Sequence, residues 1–227
     1  RSSSSCTTKS SGMRRTAVES ARPLMLPGSR GIKVPMSLLT VDLSQFGAER
    51  VRAAVQAAVE HASAGSLPTQ AVLQQGAEAT LKSEDAATST YFVSILELAY
   101  LVASADGLAD AERHTLADLL ERLTGKAVKH EAMELHFKDL DDAVEMLGRR
   151  ERLRRAAEDF GDATRQHEAL GFAAVVALAD GVLAEPENAA LTELGGHFGL
   201  SDAETENVVG GIVKRVRAEL DRSGAAS

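Results

Sequence analysis

The 227-residue chain has one cysteine, five prolines and no tryptophan. A single thiol, Cys6, excludes an intrachain disulfide framework and any cysteine-rich zinc site. Six Phe and two Tyr are too few for rows of base-stacking aromatics. No Gly-x-Ser-x-Gly elbow, no phosphate-cradling Gly-rich loop and no Glu-x-x-His occurs, so nothing marks a nucleophilic enzyme or a di-iron bundle. Long apolar runs are scarce too. The most apolar stretch, Tyr91 to Ala105, contains Glu97 and is too short to span a bilayer, so it reads as a core helix.

Hydrophobic residues make up 44%, enough for a buried core. Charge is unevenly divided. Residues 1–35 carry Arg1, Lys9, Arg14, Arg15, Arg22, Arg30 and Lys33 against Glu19 alone, which leaves residues 36–227 with a net charge of −14. A body that acidic repels phosphate backbones, so binding of nucleic acid is not expected. The first 35 residues are rich in Ser, Thr, Gly and Pro and contain no amphipathic period, so they are expected to be disordered. They read either as sequence upstream of a start at Met36 or as an Arg- and Ser-rich transit segment. The folded part reads as a cytoplasmic protein without membrane insertion.

From Gln45 onward Ala, Leu, Glu, Arg and Gln dominate, and apolar residues recur at three and four, as in Leu116, Leu119, Leu120 and Leu123. The periodicity predicts helices near 47–63, 68–82, 87–105, 110–124, 128–148, 150–161, 165–180, 185–198 and 202–222, an all-α fold. Residues 36–86 read as a helical extension, 87–222 as the main domain and 223–227 as a disordered end. A capping box, Ser201 to Glu204, follows the stop at Gly199.

The chain also matches itself at an offset of 74 residues. Leu98, Leu101, Val102 and Ala105 lie over Phe172, Val175, Val176 and Ala179, with alanines between them that let two helices approach closely. Each copy ends in Ala-Asp-Gly, with Gly107 and Gly181 suited to a left-handed C′ position. An acidic first turn follows each stop, with Asp110 and Glu112 in one copy and Glu185 and Glu187 in the other. The second loop is one residue longer.

The run Ala179-Asp180-Gly181-Val182-Leu183-Ala184-Glu185-Pro186-Glu187, with Leu191 and Phe198-Gly199-Leu200-Ser201, resembles the tellurite-resistance TerB family. The run Ala105 to Glu112 is similar to the other half of that fold. The resemblance covers residues 87–222 and implies an all-helical bundle with an internal pseudo-two-fold repeat, associated with tellurite and other stress responses. It further implies divalent metal bound by Asp106, Asp110, Glu112, Asp180, Glu185 and Glu187, with the shortened first loop the less regular of the two.

Each loop supplies three carboxylates within eight residues, a donor set for a hard cation such as Ca²⁺, Mg²⁺ or Mn²⁺, although neither loop is an EF-hand. The same residues are also accounted for without a metal, because acids in a first turn stabilise the following helix by about 0.3–1 kcal/mol each. His130-Glu131-x-x-Glu134-x-His136 departs from the His-Glu-x-x-His zinc motif, since its second histidine is six residues on and off the face of the first. His130 with Glu134 is left as a candidate pair, read first as a solvated helix face. The one basic cluster of the body, Arg149 to Arg155, is expected to pair with Asp139, Asp141, Asp142 and Glu145. Two readings follow: a non-enzymatic TerB-like metal-binding module, or a scaffold whose acidic loops only cap helices and whose charged face docks a protein partner.

Overall fold

The computed structural model describes residues 41–225, so the expectations for residues 1–35 and for the last two residues lie outside the described part. The described residues, 41–225, belong to one compact unit, in which the expected extension and main domain pack together. The described helices are α1 (Ala48–Glu60), α2 (Gln70–Lys82), α3 (Ala86–Ala103), α4 (Asp110–Leu123), α5 (His130–Leu147), α6 (Arg149–Ala157), α7 (Ala163–Ala177), α8 (Glu185–His197) and α9 (Asp202–Ala225). α9 thus runs three residues past its expected end at 222.

Local chemistry sets the boundaries. Asp85 accepts from the backbone N–H groups of Ala87 and Thr88 at the start of α3, and Asp162 does the same for Arg165 in α7. Ser201 and Glu204 form the expected reciprocal box at the start of α9. Gly199, at φ 77°, closes α8, with the Leu200 N–H reaching back to the Gly195 carbonyl.

α3 and α7, the two copies of the repeat, pack against each other at the centre. Tyr91, Phe92 and every residue from Ser94 to Ala103 in α3 are buried, and so is every residue from Ala169 to Ala177 in α7. α3 is long and apolar enough to cross a membrane, but 67% of it is buried inside this core, against α2, α6, α7 and α8. α1 packs on α9 and α4, and α5 on α4 and α6. Tyr100 stacks on Phe137 at 4.4 Å and donates to Asp141, which also receives Arg113 of α4, so one aromatic pair and one carboxylate join α3, α4 and α5.

The basic cluster pairs differently from the expectation. Gly148, at φ 81°, breaks the chain between α5 and α6, and α6 packs on α3 and α8 as well as on α5. Arg149 donates to the Leu101 carbonyl and to both oxygens of Ser104, at the C-terminal end of α3. Arg152 pairs with Glu97, the acid of the apolar run, Arg150 with Glu193, and Arg154 and Arg155 with Glu151 of their own helix. Burial raises the proton affinity of Glu97, and Arg152 opposes that.

Candidate functional site

The repeat is carried into the structure element by element. α3 ends at Ala103 and α7 at Ala177, the offset of 74 kept to the residue. Each is followed by one tight turn, over Ser104–Asp106 in one copy and over Leu178–Asp180 in the other, and then by a left-handed glycine, Gly107 at φ 94° and Gly181 at φ 97°. Ala109 and Ala184 then start the next helix. Glu112 accepts from the Ala109 N–H at 2.8 Å and Glu187 from the Ala184 N–H at 2.9 Å. Alanine has no oxygen to answer with, so each is half of a capping box.

The second loop is held from an unexpected side. Val41–Asp42 (β1) pairs antiparallel with Val182–Leu183 (β2), Val41 opposite Leu183, and the Leu43 N–H donates to the Gly181 carbonyl at 2.6 Å. The segment ahead of α1 therefore fixes the loop that carries Asp180. A two-residue ladder has no period to read, which is why the sequence offered no sign of it.

Together the two loops line a single pocket of about 150 Å³. Asp106 and Glu112 enter it from one copy and Asp180 and Glu187 from the other, with Val176 and Leu116 among its apolar lining. Asp106, Glu112 and Asp180 are exposed, whereas Glu187 is buried, with 6% of its surface accessible. Burial, with Asp180 and Asp106 adding negative charge nearby, pushes the Glu187 carboxyl up to about 8. Asp180 is also raised, first by partial desolvation and then by Asp106 and Glu112. In both groups burial is the larger cause, and the neighbouring carboxylates add to it. Arg52 of α1, paired at 2.6 Å with Glu49, adds one guanidinium to the wall.

The other two sequence candidates stand apart. Asp110 is fully exposed and lies 3.9 Å from Arg113 on its own helix, and Glu185 is exposed at the first residue of α8. Neither lines the pocket, and both sit where an acid favours a helix start.

The family model for tellurite resistance protein TerB matches residues 92–209, from α3 into α9 and across both acidic loops. The chain belongs to the TerB family. No curated protein and no solved structure matches it. The matched TerB region includes all four pocket carboxylates but leaves out α1, α2 and β1, although Arg52 of α1 lines the pocket and β1 pairs with the loop between Asp180 and Glu187.

Proposed function

We propose that this TerB domain is a non-enzymatic module that binds one divalent hard cation between its two acidic loops. Asp106, Glu112, Asp180 and Glu187 would hold it, and Asp110 and Glu185 would act as first-turn acids of α4 and α8. The observation that carries the reading is the convergence of four carboxylates from two sequence copies on one pocket, one of them buried with its proton affinity raised. An all-oxygen donor set suits Ca²⁺, Mg²⁺ or Mn²⁺. Binding would replace the proton that Glu187 otherwise retains and relieve the mutual repulsion. On this reading the module would serve a tellurite or wider stress response, and it would do so in the cytoplasm.

A scaffold reading has its own support, because Glu112 and Glu187 each already satisfy a helix N-terminus. There the pocket would bind no ion and a protein partner would dock on the charged surface. A thermal melt of the full chain after chelation separates the two readings. Ca²⁺, Mg²⁺ or Mn²⁺ at 100 times its Kd should add about 2.7 kcal/mol of stability. No shift with any of the three would leave the loops as caps.

A further inference from the structure

A second group of donors lies outside the acidic pocket, where α4 packs on α5. His114 and Asp118 are spaced i, i+4 on α4, and His130 and Glu134 are spaced i, i+4 on α5. That spacing puts each pair on one helix face. The two faces meet: the His114 and His130 rings lie 4.0 Å apart, edge to face. One ligand atom from each of His114, Asp118 and His130 falls within 4.8 Å of the others. Glu134 Oε1 stands 3.0 Å from His114 Nδ1 and 3.1 Å from His130 Nε2, and Asp118 Oδ1 stands 2.8 Å from His130 Nδ1.

His130 is the informative member. Its side chain is 13% exposed and carboxylate oxygens face both ring nitrogens, yet neither nitrogen makes a hydrogen bond of good geometry. Buried polar atoms without such bonds are uncommon, and each one calls for an explanation. His136, the residue that the zinc-like spelling would have paired with His130, is removed from this group; burial lowers its proton affinity, and Asp139 and Arg152 are its charged neighbours. The partner of His130 comes from a different helix.

We propose that His114, Asp118 and His130 form a binding site for a borderline divalent transition cation, Zn²⁺, clipping α4 to α5, with Glu134 as the carboxylate that orients the imidazoles. Two imidazole nitrogens and a carboxylate are a common Zn²⁺ donor set, and the fourth position is open to water. A carboxylate held against a ligating imidazole fixes its ring and raises its basicity. The donors differ in kind from the all-oxygen pocket, so the two sites would sort different ions. α4 also carries Glu112 at its N-terminal turn, so an ion at this site would steady a helix that helps line the acidic pocket.

The test is a Zn²⁺ titration of the full chain against a chromophoric chelator, repeated with His114→Ala, His130→Ala, Glu134→Gln and Asp180→Asn, with far-UV circular dichroism as the folding control. His114 is 61% exposed, so its replacement leaves the core untouched. One Zn²⁺ should bind the wild type, be lost in both histidine variants, weaken about 10- to 100-fold in Glu134→Gln, and persist in Asp180→Asn. Co²⁺ in place of Zn²⁺ should give the visible bands of a four-coordinate ion, absent from His114→Ala. Failure of the wild type to compete with the chelator overturns the proposal, as does unchanged Zn²⁺ binding in the folded histidine variants. Loss of Zn²⁺ in Asp180→Asn alone would move the ion to the acidic pocket and overturn it equally.

Discussion

Asp106 and Asp180, 74 residues apart and equivalent in the repeat, line the same pocket, where burial first and then the charge of Asp106 raise the proton affinity of Asp180. The duplication thus builds one shared site, and like charges are gathered where a cation would be the natural counterweight.

Asp180→Asn removes one of those charges without changing the shape of the loop by much. The expected result is a higher melting temperature in the absence of metal, from relieved repulsion, together with loss of the Ca²⁺, Mg²⁺ or Mn²⁺ shift. Paired melts with and without each ion check both effects. A metal shift equal to that of the wild type would remove Asp180 from the ligand set.

Glu187 predicts a pH dependence. Its carboxyl titrates near 8 in the folded chain against an ordinary value of 4.5, so between those limits the folded state holds a proton that the unfolded state has released. Stability from this group is complete below about pH 4.5, falls by roughly 1.4 kcal/mol per pH unit at most as pH rises, and levels off above about pH 8. Asp180, also raised, acts in the same direction. Denaturant unfolding of metal-free protein across pH 5–9 should show this decline, and Glu187→Gln should flatten it.

Arg149 closes the C-terminal end of α3 with three hydrogen bonds, and burial disfavours its charge while Tyr100, Asp141 and Asp106 oppose that. Arg149→Ala should cost about 1–3 kcal/mol, as expected when a partly buried charged donor leaves its acceptors unpaired. Its neighbour Arg150 is 86% exposed, and Arg150→Ala should stay within about 0.5 kcal/mol of wild type. Urea midpoints of the two variants provide the comparison.

Gly171 lies in α7 beneath the loop before α2, and a Cβ there would sit 2.4 Å from the Ser66 carbonyl oxygen. Gly171→Ala should therefore destabilise by about 1–3 kcal/mol, despite the better helix propensity of alanine. Gly196 has open space around the same position, and Gly196→Ala should be neutral or stabilising by thermal melt.

Much of the helical order was legible because amphipathic period, caps and left-handed glycines are local signals. Asp85, Asp162 and Ser201 satisfy N–H groups two or three residues away, and Gly107 and Gly181 supply a backbone that other residues rarely adopt. The site was only partly legible. Asp106, Glu112, Asp180 and Glu187 stood out through the repeat, but so did Asp110 and Glu185, because spacing within one loop does not tell which side chains line the pocket.

The sequence by itself determined the main helices, the duplicated Ala-Asp-Gly stops and the acid content of the loops, since each depends on bonds within a few residues. The tertiary structure alone decided that the two loops share one pocket, that β1 pins the second of them, and that His130 meets His114 rather than His136. Those relationships join residues from 16 to more than 140 positions apart. They follow from burying α3 against α7 and packing α4 on α1 and α5, and no local period encodes that arrangement.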